Sequence, residues 1–293
     1  MSFWDQIGEE IGKAGSGAFS PAACETVTGG CISSAYRLTC TSGDAYFIKT
    51  HDAAQLDMFA AEAQGLREMA ASKSIRVPTV ITWGVIGQQS YLVMEYLSLR
   101  SRGEDPELGR ELAMMHRYQR GVFGWDQNNT IGSSPQDNSP CEDWIEFWRS
   151  RRLGAQLTMA ANNGYDGRLQ EKGFLLLEGL DCLFRGYSPL PSLLHGDLWS
   201  GNYGFTPDGQ PVLFDPACYY GDRETDLAMT ELFGGFGQGF YTAYNETWPL
   251  DPGYSVRKLL YNLYHILNHL NLFGISYADQ AEQMVDRLLS EIQ

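Results

Sequence analysis

The chain has 293 residues, 43% hydrophobic and 19% charged, enough for a large core in one large domain or two lobes. A formal net charge of −15, with no basic stretch longer than Arg149-Ser150-Arg151-Arg152, argues against nucleic acid as a partner. No apolar run approaches a membrane span, and MSFWDQIGEE lacks the basic-then-apolar order of a secretory signal. The six cysteines have no CxxC spacing and fit reduced thiols in a cytoplasmic protein.

The predicted elements begin with a short helix over Ser2 to Ala14. From Cys24 to Lys49 the pattern alternates, with Thr41-Ser42-Gly43-Asp44 as a hairpin turn. Leu56, Phe59, Ala60, Ala63, Leu66, Met69 and Ala70 then recur at helical spacing, which predicts an amphipathic helix that ends before Val77-Pro78. Two strands follow, near Thr79 to Val85 and Ser90 to Tyr96. The polar stretch Ser98 to Pro106 reads as a linker, so the expected lobes are 1–97 and 98–293.

Helices are expected at Pro106 to Arg120, Glu142 to Asn162, Gly167 to Gly186, Glu224 to Phe233, Phe236 to Trp248, Val256 to Phe273 and Tyr277 to Ile292. The glycine- and asparagine-rich stretch Gly121 to Pro140 is long for a structureless connection, so it is expected to be functional or mobile. The loop Leu193 to Asn202 is followed by a short hairpin turned by Pro207-Asp208-Gly209.

That loop carries the strongest chemical signal: His195-Gly196-Asp197-Leu198-Trp199-Ser200-Gly201-Asn202, followed by Phe214-Asp215-Pro216 at the end of an apolar strand. Phosphoryl transfer needs a carboxylate beside the attacking hydroxyl and oxygen ligands for Mg²⁺ on the ATP phosphates. Asp197 fits the base, Asn202 and Asp215 fit the metal ligands, and His195 fits a structural role in the loop.

Lys49 ends the strand Tyr46-Phe47-Ile48 and precedes the helix carrying Glu62, the order of a phosphate-binding lysine and its glutamate partner. Thr28-Gly29-Gly30-Cys31-Ile32-Ser33-Ser34 lies between two predicted strands, where backbone amides can cover phosphates. There is no GxxxxGK[ST] sequence, which disfavours a P-loop NTPase. Met94, Glu95, Tyr96 and Leu97 close the last strand before the linker, where adenine would meet backbone N–H and C=O groups.

These segments resemble the aminoglycoside-phosphotransferase and choline-kinase superfamily more than protein kinases proper. The loop reads HGD and not HRD, Asp215 is followed by Pro-Ala, and no Ala-Pro-Glu follows. Within that superfamily the chain is similar to the fructosamine kinases, or ketosamine-3-kinases. Gly29 to Ser33, Phe147 to Gly154, Leu194 to Asn202 and Asp215 to Glu224 carry the likeness, which runs from about residue 2 to 291. Ser200, where the family often has glycine, and Ser34, where it often has a bulkier or acidic residue, are departures that touch no catalytic group.

The resemblance implies an α+β, bilobal protein-kinase-like fold with a β-rich N-lobe and a mostly helical C-lobe. It also implies transfer of the ATP γ-phosphate to O3 of a ketosamine, either a small molecule or a glycated lysine on a peptide or protein. Loss of a C1 proton then gives an enaminol from which phosphate leaves, and the amine is freed.

On this reading Trp199 is a sugar platform. Asp222, Arg223 and Glu224 order the metal loop or touch substrate, Asp226 holds the catalytic loop by backbone bonds, and Trp125 and Asn128 close over substrate. The alternatives are a kinase for another small hydroxylated amine, of aminoglycoside or choline type, and a pseudokinase that binds nucleotide without turnover. The presence of Lys49, Glu62, Asp197, Asn202 and Asp215 together argues against the latter. Cys31, on a glycine turn, is expected to bridge a homodimer when oxidised.

Overall fold

The computed structural model describes residues 1–16, 19–27, 33–101, 103 and 105–292. The glycine-turn residues Thr28, Gly29, Gly30, Cys31 and Ile32 therefore lie outside the described residues, and with them the expected Cys31 bridge. The chain forms two compact units: Met1–Glu104 with Gly204–Asp215, and Asp105–Tyr203 with Pro216–Gln293.

In the first unit, helix α1 (Phe3–Ile11) is started by Ser2, whose hydroxyl accepts from Asp5 N while Asp5 caps the Ser2 amide in return. Strands β1 (Pro21–Val27), β2 (Ser34–Cys40) and β3 (Ala45–Asp52) form an antiparallel meander. Helix α2 (Leu56–Ala71) and strands β4 (Val80–Ile86) and β5 (Gln89–Glu95) follow. The sheet order is β1-β2-β3-β5-β4. Ile7 and Ile11 of α1 pack with Leu38, Ile48, Tyr91 and Val93 of the sheet. α2 buries Phe59, Ala63, Leu66 and Met69 at the helical spacing that predicted it.

In the second unit, α3 (Asp105–His116) precedes a hairpin of β6 (Asn129–Ile131) and β7 (Ser134–Gln136). The stretch expected to be functional or mobile thus contains a short hairpin and is held by bonds from elsewhere in the unit. Buried Arg152 donates to the Asp137 carbonyl at 2.8 Å and to Asn138 Oδ1 at 2.6 Å, while Asn129 Nδ2 donates to the Cys218 carbonyl at 2.8 Å. One helical stretch runs through α4 (Trp144–Trp148), a wider turn at Arg149–Leu153, and α5 (Gly154–Asn162). It is followed by α6 (Arg168–Gly179).

Strand β8 (Ser192–Leu194) leads into the HGD loop. The loop is followed by the hairpin β9 (Tyr203–Phe205) and β10 (Pro211–Leu213), of which Gly204–Asp215 belongs to the first unit, and the second unit resumes with β11 (Tyr219–Gly221), which pairs antiparallel with β8. Helices α7 (Glu224–Leu232), α8 (Gln238–Thr247), α9 (Tyr254–Phe273) and α10 (Ala278–Ile292) complete the unit. Its core includes Trp148, Tyr220, Tyr244, Tyr261 and Phe240. Among the described residues no helix is long and apolar enough to cross a membrane.

Candidate active site

In the first unit, β3 and α2 bring Lys49 and Glu62 together, with Nζ 2.7 Å from Glu62 Oε1 and both side chains about a tenth exposed. Lys49 also pairs with Asp215, two residues beyond β10. Burial alone would lower the Lys49 pKa, but Asp215 and Glu62 outweigh it and hold the ammonium charged far above neutrality. Asp215 has φ +57°, a left-handed backbone that is uncommon outside glycine and that concentrates at functional positions. The β10 backbone is itself tied to this unit, with Leu213 N–H donating to the Arg76 carbonyl at 3.0 Å.

Met94 is buried in β5. Glu95 is the last paired residue of that strand, and its carboxylate takes Arg76 Nη2 at 2.7 Å and Thr79 Oγ1 at 3.1 Å, so it is a local clamp. Tyr96 and Leu97 follow the ladder, with the Arg37 guanidinium 4.7 Å over the Tyr96 ring. Ser33 immediately precedes β2.

In the second unit the HGD loop leaves β8 and is held by Asp226, in the first turn of α7. Its Oδ2 accepts His195 N–H at 2.7 Å and its Oδ1 accepts Gly196 N–H at 2.8 Å, the backbone role expected of it. Burial pushes the Asp226 carboxyl up, yet the bond from His116 and those from the loop outweigh it and keep the group below its ordinary value.

Gly196 has φ +83°, and a Cβ there would strike the Ala217 carbonyl. Only glycine fits between the two backbones, which accounts for HGD at this position. Ala217 N–H returns a bond to the His195 carbonyl at 2.8 Å. His195 is buried, and its Nδ1 accepts Asp197 N–H at 3.2 Å, a structural task.

Asn202 is buried and donates from Nδ2 to the Asp197 carbonyl at 2.8 Å and to Asp197 Oδ2 at 3.2 Å. These bonds fix the amide through Nδ2 and leave Oδ1 without a bond among the described residues. Trp199 is 39% exposed, the one large aromatic ring in the loop offered to solvent.

Five residues expected to touch substrate, or in the case of 222–224 to order the metal loop, are bonded within the fold. Asp222, Arg223 and Glu224 are all buried. Asp222 accepts Tyr187 O–H at 2.9 Å and Tyr261 O–H at 2.6 Å, and Glu224 forms a fork with Arg257 at 2.8 and 3.0 Å. Arg223 lies 4.0 Å over the Trp248 ring and donates to the Trp248 carbonyl at 2.9 Å. The trio therefore orders the segment leading into α7 and is turned away from solvent. Trp125 is likewise buried, its N–H bonded to the Asn138 carbonyl at 2.7 Å. Asn128 is exposed, but its Oδ1 accepts Asn138 N–H at 2.9 Å and braces the β6–β7 region.

Sequence reasoning missed His116, whose Nε2 lies 3.1 Å from Asp226 Oδ2. The two are 110 positions apart, and nothing in the local sequence of α3 marks the histidine.

The match of residues 3–291 to the family model described as fructosamine kinase spans nearly the whole chain. A Synechocystis protein provisionally named a ketoamine kinase is 43% identical over 289 residues, 98% of this chain and 97% of its own. The chloroplastic protein-ribulosamine 3-kinase of Arabidopsis thaliana is 42% identical, with 90% and 82% covered. The crystal structure of a Haemophilus somnus protein provisionally named a fructosamine-3-kinase superposes with a TM-score of 0.89 at 28% identity, covering 98% and 97%. A streptomycin–ATP complex of an aminoglycoside phosphotransferase shares the α+β, kinase-like fold at TM-score 0.62 and 14% identity, covering 99% and 97%. The loop, the lysine–glutamate pair and these matches agree: the chain belongs to the fructosamine kinase family.

Proposed function

We propose that this protein transfers the γ-phosphate of ATP to the O3 hydroxyl of a ketosamine, the Amadori product of a sugar and an amine, with Asp197 as the base. The observation that carries the reading is the bracing of the Asp197 loop: Asp226 holds its backbone, and Asn202 grips both the carbonyl and the carboxylate of Asp197. Such a loop orients a carboxylate toward an acceptor alcohol before reaction, which is where most of the catalytic effect of phosphoryl transfer arises. Asp197 orients the hydroxyl and takes its proton as the O–P bond forms.

Lys49, held by Glu62, is assigned to the phosphates of ATP. Gly29, Gly30, Cys31, Ile32 and Ser33 are assigned to the phosphate loop, and the backbone at Met94, Glu95, Tyr96 and Leu97 to adenine. Asn202 and Asp215 are assigned to Mg²⁺. An amide oxygen and a carboxylate are hard donors that suit magnesium, and so short a set fits an ion that shares its shell with phosphate and water. The ion would neutralise charge on the transferring phosphate. Trp199 is assigned to the sugar, on which an exposed ring can stack.

Once phosphate is on O3, loss of a C1 proton gives the enaminol, phosphate leaves from C3, and hydrolysis frees the amine. Reduced thiols support a cytoplasmic setting. A homodimer bridged at Cys31 rests on the position of that thiol alone, and equal mass, activity and ATP affinity in oxidised and reduced protein would remove it.

The deciding experiment measures ATP consumption against ribuloselysine, fructoselysine, kanamycin and choline, and locates the new phosphate by NMR. Phosphate on O3 of a ketosamine is the expected result. Turnover of kanamycin or choline alone would reject the proposed substrate.

A further inference from the structure

A line of buried groups in the second unit runs from Arg223 to the catalytic loop. Arg223 Nη1 donates to Tyr244 Oη at 3.1 Å, Tyr244 Oη lies 2.7 Å from His116 Nδ1, and His116 Nε2 lies 3.1 Å from Asp226 Oδ2. Asp226 in turn accepts His195 N–H and Gly196 N–H. We propose that Tyr244 and His116 form a one-directional hydrogen-bond relay that positions the Asp197 loop, which makes both positioning residues for phosphoryl transfer. The catalytic part of this inference rests on Asp197 being the base.

The direction follows from the chemistry of the two ends. A guanidinium only donates and a carboxylate only accepts. Tyr244 Oη accepts from Arg223, so its own hydrogen is available to His116 Nδ1. That nitrogen must then be unprotonated, and the proton of a neutral ring sits on Nε2, aimed at Asp226.

Burial lowers the His116 pKa and outweighs the Asp226 carboxylate, which keeps the ring neutral. Burial likewise raises the Tyr244 hydroxyl, which stays protonated. The other tautomer would set a lone pair of His116 against the carboxylate and a ring N–H against the tyrosine hydrogen.

The relay gathers α3, α7, α8 and the segment before α7 onto one carboxylate. Asp226 Oδ2 is shared between His116 and His195 N–H, so the imidazole sets the angle at which the carboxylate meets the loop. The upstream end is pinned by the stacking of Arg223 on Trp248 and its bond to the Trp248 carbonyl. A hydroxyl on α8 thereby governs backbone atoms adjacent to Asp197 without touching substrate.

Tyr244→Phe in the full-length protein removes one hydroxyl and keeps the ring. Histidine ¹⁵N NMR, amide hydrogen exchange and steady-state kinetics are read on the same samples. The relay predicts a fixed Nε2–H tautomer of His116 in the wild type and its loss in the variant. It also predicts faster exchange at His195 and Gly196 with the rest of the unit unchanged. Turnover should fall about tenfold, with the ATP KM within about twofold of wild type.

Unchanged exchange and turnover would overturn the relay. Uniformly faster exchange across the unit would overturn it too, by reducing Tyr244 to a packing residue. If the variant does not fold, the wild-type spectrum alone decides, since an Nδ1–H tautomer or an imidazolium at neutral pH contradicts the relay. Tautomer and exchange need no substrate. If both behave as predicted while the wild type phosphorylates no ketosamine, the relay stands and the proposed reaction falls.

Discussion

Glu62 holds Lys49 at 2.7 Å with both side chains almost wholly withdrawn from water. A charge-assisted bond of this kind is worth about 1.5–3 kcal/mol. Glu62→Gln should therefore cut kcat/KM for ATP about 10- to 100-fold while the sheet stays folded, because Asp215 still compensates the lysine. Steady-state kinetics with varied ATP, alongside circular dichroism, measures this. Wild-type kcat/KM would show that the pair has no part in nucleotide use.

Asp197→Ala should abolish measurable turnover, a loss of about 10²-fold or more, and retain most ATP binding by calorimetry. Asp215→Ala should instead lose metal-dependent ATP binding. Asp215→Asn should fold more stably than Asp215→Ala by about 1 kcal/mol, because asparagine tolerates the left-handed backbone at φ +57° and alanine does not. Unchanged metal dependence in Asp215→Ala would contradict its assignment as a ligand.

Trp199→Ala should raise the KM for the ketosamine about tenfold, the scale of one lost ring contact, and leave the ATP KM alone. An equal rise in both values would mean that the ring supports the loop and does not carry the sugar.

Glu111 supplies a pH dependence. Burial, with Glu107 one helical turn away, pushes its carboxyl up to about 7, and its buried Oε2 has no hydrogen-bond partner among the described residues. A carboxyl raised in the folded state binds its proton more tightly there than when unfolded. The stability from that proton is complete below the ordinary value of 4.5 and is lost as pH rises to about 7. Glu111→Gln should thus raise Tm above pH 7, by about 1 kcal/mol in stability after discounting for solvent screening, with no difference near pH 4. Thermal melts across that range test it, and identical wild-type and variant curves at pH 8 would refute it.

What was legible in the sequence is what repeats locally or keeps a fixed spacing. The face of α2 was readable because Phe59, Ala63, Leu66 and Met69 recur every three or four residues, and the HGD loop because its polar groups fall in order within eight positions. For residues 222–224 the sequence left ordering of the loop and contact with substrate open, because the groups they bind are distant in the chain. Tyr187, Tyr261 and Arg257 lie 33 to 39 positions away. The stretch after α3 looked loose for the same reason: the guanidinium that orders it, Arg152, arrives from a later helix and finds carbonyl groups and aromatic rings instead of a carboxylate. His116 was invisible because a histidine ending a helix has no local signature of the aspartate it serves.

The absence of a side chain at residue 196 also bears on control. In a protein kinase of HRD type, the arginine at the matching place can bind a phosphate carried by a distant loop and so couple catalysis to signalling. Here the Ala217 carbonyl occupies the volume such a side chain would need, and a mutation to arginine would have to rebuild the turn. This position cannot serve as a sensor of phosphorylation. Any covalent control of the loop would have to act through another residue, because the turn at Gly196 is closed by the backbone beside it.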